Sequence, residues 1–195
     1  MPAGVSAIST SCAGDYLTAA TPRRGNYMDV PNHLLQLLYF VVPAYTANMA
    51  AQLAAHWHGW NRPISERWLG SHKTVVGLLL GVFAAMATTG VQHAIAWRGG
   101  IADYGQWVVL GAAFGMGALG GDALKSALKR RAGIPPGDRW IPADQLDFIA
   151  GALVLTWHWA PLDAVDVFTI LGATFAGHIM VDHVAYWLGI RDTAW

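Results

Sequence analysis

Five apolar stretches limit what this chain can fold into. They run over about 33–56, 74–97, 106–128, 145–160 and 164–188. The first two hold no Asp, Glu, Lys or Arg. A helix needs about 20 apolar residues to cross roughly 30 Å of hydrocarbon. No water is available there to satisfy backbone groups, so only helices or closed barrels cross. Nothing in these stretches alternates with period two, which argues against barrel strands. The expected fold is therefore all-α: a polytopic integral membrane protein with five transmembrane helices. The fourth stretch is short, and would cross with little tilt or lie partly embedded.

Composition agrees with this. Of 195 residues, 54% are hydrophobic and only 12% charged, against about 25% charged in soluble domains. Formal net charge is zero, so no nucleic-acid partner is expected. A single Cys12 gives no disulfide framework. Residues 1–30 lack the basic and apolar regions of a signal peptide and are expected to form a mobile tail. Met28 is an alternative start. Residues 31–195 are expected to form one membrane-embedded domain.

Tryptophans 57, 97, 107, 140, 157, 159 and 187 fall near segment ends, the placement of an interfacial aromatic belt. Basic residues set the orientation. Arg62, Arg67 and Lys73 follow the first stretch; Lys129, Arg130, Arg131 and Arg139 follow the third; Arg191 follows the fifth. The positive-inside rule puts these loops in the cytoplasm. The expected location is the cell membrane, with the polar loops facing the cytoplasm.

Gly77/Gly81, Gly111/Gly115 and Gly117/Gly121 repeat the G-x-x-x-G spacing that lets helices approach closely in lipid. Gly120-Gly121 adds a second expectation, a helix break or a close ligand approach.

Charge is concentrated in one segment. Asp122, Lys125, Ser126 and Lys129 share a helix face at i, i+3, i+4 and i+7. Asp144 and Asp147 share another, if a helix begins near Pro142. Helix capping accounts for Asp144 but less well for Asp147. Charge beside a bilayer core is costly and marks a functional site. Carboxylates hold magnesium together with substrate phosphate oxygens, and lysines and arginines neutralise phosphate. Phosphoryl chemistry at a membrane surface follows. No P-loop, G-x-S-x-G or H-E-x-x-H is present. His178 and Asp182 either line the cavity or make an interhelical hydrogen bond, and His183 lies beside them. His56 and His58 are read as interfacial, not metal-binding.

The run Gly121-Asp122-x-x-Lys125-Ser126-x-x-Lys129-Arg130-Arg131-x-Gly133-Ile134, followed by Asp144-Gln145-Leu146-Asp147-Phe148, resembles the CDP-archaeol synthases. These are small relatives of the phosphatidate cytidylyltransferases. Pro43-Ala44-Tyr45-x-Ala47-Asn48 and Ser71-His72-Lys73-Thr74-x-x-Gly77 extend the match, which covers roughly 40–190. Gly70 is displaced by one position from the family pattern, and Ser65-Glu66 stand where the family has an Asp after its Pro-Ile pair. The resemblance implies five spans and a magnesium-dependent reaction of CTP with a membrane lipid phosphate, giving CDP-lipid and pyrophosphate. It implies Asp122, Asp144 and Asp147 as metal or CTP-phosphate ligands, with Asp122, Lys125, Lys129 and Asp147 at the chemistry. It implies Asn48, Lys73, Thr74, Ser126, Arg130 and Arg131 as substrate-binding residues. A non-enzymatic transporter of ions or phosphate, or an inactive relative, are the alternatives. The lipid's chains and the oligomeric state are not specified by sequence.

Overall fold

The computed structural model describes residues 30–55, 62–65, 73–135, 138 and 140–187. The described residues form five α-helices: α1 Val30–Ala55, α2 Val75–Ile95, α3 Trp107–Arg131, α4 Ala143–Thr156 and α5 Ala164–Trp187. A short 3-10 turn, Tyr104–Gln106, leads into α3. Spans at Asn32–Ala54, Val75–Ile95, Tyr104–Arg131 and Ala164–Val184 are long and apolar enough to cross a bilayer. The remaining helix, α4, has 14 residues, about 21 Å at the α-helical rise. It is the short member expected from sequence.

A core of large side chains joins the helices. Phe40 and Phe114 meet edge to face at 5.0 Å, and Tyr45 meets Phe148 at 5.2 Å. Many outward residues, such as Phe83, Val154 and Phe168, stay exposed. That suits a surface solvated by lipid tails rather than water.

Pro43 lies inside α1 and has no N–H to donate to the Tyr39 carbonyl one turn back. Gln92 of α2 fills the vacancy, its Nε2 donating to that carbonyl at 2.6 Å. The break in the α1 ladder becomes an α1–α2 tie. Tyr45 and Thr174 join α1 to α5 through their hydroxyls at 2.7 Å.

The glycine pairs act as expected. A Cβ on Gly81 would meet the Ala47 carbonyl at 2.8 Å, one on Gly115 the Val82 Cα at 2.7 Å, and one on Gly117 the Gly151 carbonyl at 2.6 Å. Gly121 lies against the Asp147 carbonyl and the Gly151 Cα. Packing this tight brings α3 and α4 nearly backbone to backbone. The expected break at Gly120-Gly121 is absent, because α3 runs through both residues without interruption.

Candidate active site

Close packing of α3 on α4 sets the site. Because Gly121 abuts the Asp147 carbonyl, the turn carrying Asp122 and Lys125 lies beside the turn carrying Asp144 and Asp147. Lys125 Nζ lies 2.8 Å from Asp147 Oδ2, 3.0 Å from Asp144 Oδ1 and 3.4 Å from Asp122 Oδ1. The three oxygens are thus at most about 6.4 Å apart, the sum of the two longest distances. Asp122 also makes an ion pair with Lys73, and Lys129 pairs with Asp144 at 3.1 Å. Three lysines balance three aspartates at one end of the bundle.

Local structure holds each member. Lys73 precedes α2 in a short antiparallel bridge between Pro63 and Thr74. There Ile64 N donates to the Lys73 carbonyl at 2.8 Å. Thr74 caps α2, its hydroxyl accepting from Gly77 N at 3.1 Å, as N-cap threonines do. Burial first, and then the neighbouring Lys125 charge, push the Lys73 ammonium down to about 8, while Asp147 acts against the shift. At neutral pH the group stays mostly protonated, in keeping with its ion pair to Asp122.

Lys129 is 8% exposed. Its ammonium donates to both Asp144 oxygens at 3.1 and 3.3 Å and contacts the Asp138 carbonyl. It ties the α3–α4 connection to Asp144. Asp144 does not cap α4, whose N-cap position is Pro142 and has no side-chain cap bond; its Oδ2 instead accepts from Trp140 N at 2.6 Å, reaching back into that connection. Gly133, with φ 72°, ends α3. Ile134 N donates to the Lys129 carbonyl and Gly133 N to the Arg130 carbonyl, each at 3.1 Å. This is a Schellman closure, which favours glycine at the left-handed position. Arg130 Nη1 donates to the Ile134 carbonyl at 3.0 Å. Arg131 is exposed at the last turn of α3. The Ser126 hydroxyl donates back to the Asp122 carbonyl at 2.9 Å. The structure therefore gathers Asp122, Asp144, Asp147, Lys73, Lys125 and Lys129 into one network, while Ser126 and Arg130 bond to nearby carbonyls.

Two hollows flank α3 at this end. One, of about 390 Å³, is lined by Asn48, Gln52, Lys73, Thr74, Gly120 and Asp122, with apolar neighbours. The other, of about 770 Å³, lies between α3 and α4. Its walls are mainly apolar, including Leu124, Leu128 and Val154, with Lys125 and Asp147 at the charged end. Both volumes are on the scale of small-molecule sites, about 300–1,000 Å³.

The donor set suits a hard cation such as magnesium. Asp147 Oδ2 is buried, and the Lys125 ammonium 2.8 Å away supplies its counter-charge. A buried carboxylate oxygen is costly unless a cation answers it. Among the described residues there is no ready-made metal cluster, since the Lys125 ammonium holds the point where the carboxylates converge. The acidic set fits a cation of the expected kind, with Lys125 in its place.

The histidines fall elsewhere. His178 is half-buried with its ring 5.9 Å from Phe148, and His183 Nδ1 lies 2.8 Å from the Ile179 carbonyl. His56, His58, Gly70, Ser71, His72 and Arg139 lie outside the described residues. Sequence reasoning missed Gly151, the α4 half of the close crossing. Gly151 stands one turn after Asp147, but that this face meets α3 is settled only by the packing.

Fold and site together define an integral membrane protein with an acidic and basic cluster at one end of a helical bundle, between two mainly apolar hollows that its charged groups reach. The chain belongs to the CDP-archaeol synthase family: the family model "CarS-like: CDP-archaeol synthase" matches residues 30–195. The CDP-archaeol synthase of Halobacterium salinarum is 33% identical over 185 residues, covering 86% of this chain and 100% of the relative. That of Aeropyrum pernix is 33% identical over 176 residues, covering 84% and 94%. A solved structure described as an intramembrane enzyme for archaeal membrane lipids biosynthesis superposes with a TM-score of 0.65 at 28% identity. It covers 76% of this chain and 94% of that one.

Proposed function

We propose that this protein is a CTP-dependent cytidylyltransferase that converts a membrane lipid phosphate of the archaeol phosphate type into its CDP-lipid, releasing pyrophosphate. The observation that carries the reading is the convergence of Asp122, Asp144 and Asp147 on Lys125 between the two hollows. Family membership supplies the substrate class.

The hollow that carries Asn48, Gln52, Lys73, Thr74 and Asp122 suits the nucleotide. The groove between α3 and α4 suits the hydrocarbon of the lipid. A lipid phosphate oxygen attacks the α-phosphorus of CTP. The new P–O bond forms as the bond to the β-phosphate breaks, and pyrophosphate leaves with that bond's electron pair. Such transfers depend chiefly on positioning and on stabilising crowded negative charge. Lys73 and Lys125 supply positive charge on the two sides of α3. Lys129 positions Asp144 and the connection before α4. Magnesium, held by Asp122, Asp144 and Asp147, would neutralise phosphate charge and orient the phosphates. The basic residues near this end support a site that faces the cytoplasm from the cell membrane, by the positive-inside rule.

Turnover of CTP by purified protein, measured against a panel of lipid phosphates with and without magnesium, tests this reading. Lipid-dependent formation of CDP-lipid, lost with a chelator and restored by magnesium, is the expected result. CTP left intact with every lipid phosphate would overturn it in favour of transport or of an inactive relative.

A further inference from the structure

Gly120 and Gly121 are neighbours in α3 with different surroundings. A Cβ on Gly121 would strike the Asp147 carbonyl, whereas one on Gly120 would meet nothing within 4 Å. Glycine in a helix interior costs about 0.5–1 kcal/mol relative to alanine. Packing explains that cost at Gly121 and leaves it unexplained at Gly120. Gly120 lines both hollows beside α3, and so does Met116 one turn earlier. Met116 is 52% exposed, and Leu124, one turn later, is 62% exposed. On a helix these three residues stand in one row. Gly120 is thus a notch in a ridge of large side chains. Asp122, paired with Lys73, lies on one side of it, and Lys125, paired with Asp147, on the other.

Resting on the function proposed above, we infer that the Gly120 notch is the crossing through which the lipid's phosphate end passes from the α3–α4 groove to the nucleotide side of α3. The groove's walls are mainly apolar beyond Lys125 and Asp147, whereas the opposite hollow carries Asn48, Gln52, Lys73, Thr74 and Asp122, so hydrocarbon and nucleotide would lie on opposite sides of α3 and their reacting atoms would meet across it. A side chain at position 120 would stand in that path without disturbing any helix contact. The structure separates this role from simple tolerance of glycine at a lipid-facing site. Gly172 of α5 is equally open but lines neither hollow.

Initial-rate kinetics with CTP and lipid phosphate varied separately test the inference, on wild type, Gly120→Ala, Gly120→Leu and Gly172→Leu at matched folded amounts. Gly120→Leu is expected to raise KM for the lipid phosphate about tenfold or more, with KM for CTP within about twofold, since blocked access weakens one substrate alone. Gly120→Ala should give a smaller rise in the same direction, with a melting temperature equal to or above wild type. Gly172→Leu should match wild type. Lipid KM unchanged in Gly120→Leu, or CTP KM raised equally, would overturn the crossing. If Gly120→Leu fails to fold, Gly120→Ala and Gly120→Ser decide by the same criterion. Equilibrium binding of radiolabelled lipid phosphate to the same variants is read independently of turnover. If wild type shows no turnover, the enzymatic reading fails, and binding alone then decides the notch: weaker binding by Gly120→Leu supports it and equal binding overturns it.

Discussion

The two ends of this bundle both carry paired charges, yet they are built differently. At one end His33 Nε2 of α1 meets Asp166 Oδ1 of α5 at 2.6 Å, and Asp163 and Asp166 exchange backbone-to-carboxylate hydrogen bonds at 2.8 and 3.3 Å. His33 is half exposed. Each of these groups has a local job, in capping α5 or joining two helix ends. At the other end Lys73, Lys125 and Lys129 interlock with Asp122, Asp144 and Asp147. These side chains are largely buried, and one lysine answers three carboxylates. Caps need no such surplus. Charge that exceeds what folding uses, in a place where charge is expensive, is the physical mark of a site.

The largest expected effect tests that contrast directly. Asp122→Asn and Asp147→Asn keep shape but remove the charge a metal needs. Each should lower magnesium-dependent turnover about 100-fold or more, as when roughly 3 kcal/mol of charge stabilisation is lost. Asp166→Asn at the other end should leave turnover within about threefold. Near-normal turnover in both site variants, at matched folded amounts, would reduce the inner cluster to a set of caps and erase the difference between the ends.

Gly121→Ala probes how the cluster is assembled. A methyl there lands on the Asp147 carbonyl, and backbone cannot yield as a flexible side chain can. Overpacking of this sort costs about 1–3 kcal/mol, and it also pushes Asp147 away from Lys125. Thermal unfolding in detergent should move to lower temperature, and turnover should fall in protein that remains folded. An unchanged melting curve would mean that the site does not depend on the close crossing.

Much of this architecture was legible in the sequence because the bilayer enforces it. Charge-poor stretches longer than about 20 residues permit little except helices, and α2 and α5 end within two residues of the sequence boundaries. G-x-x-x-G spacing identified the packing faces of α2 and α3 for the same reason. Within the site, the i, i+3 and i+4 spacings grouped Asp122 with Lys125 and Asp144 with Asp147. They did not show which helix faced which. That depended on Gly151, whose meaning appears only once Gly117 and Gly121 lie against it. Lys73 was placed among phosphate contacts, but its ion pair with Asp122 crosses between elements and has no sequence signature. Lys129 looked like a substrate cation from its position on the helix face. Its burial against Asp138 and Asp144 makes it a strut as well, which spacing alone does not reveal.

Lys129→Met sharpens the comparison within the charged end. It removes one donor from each Asp144 oxygen and the contact with the Asp138 carbonyl, while Lys125 and Trp140 N still reach Asp144. Such losses cost about 1–3 kcal/mol. Lower thermal stability is expected, with faster proteolysis in the connection between α3 and α4. Stability equal to wild type would return Lys129 to the set of free phosphate cations.

The smallest effect belongs to His33→Ala. Exposed ion pairs contribute about 0.2–1 kcal/mol, because water screens them and two side chains must be held in place. His33 is 52% exposed, so the lower part of that range applies. The pair needs a protonated histidine to act as an ion pair, and at higher pH it weakens to a neutral hydrogen bond. Melting temperature should therefore fall by a degree or two in His33→Ala at pH 5.5 and by less at pH 8.5, with CTP turnover at pH 7 unchanged. Asp166 still caps α5 through its own backbone bonds with Asp163, so the helix end survives the substitution. Loss of turnover in His33→Ala would tie this end of the bundle to the chemistry at the other and break the division between them.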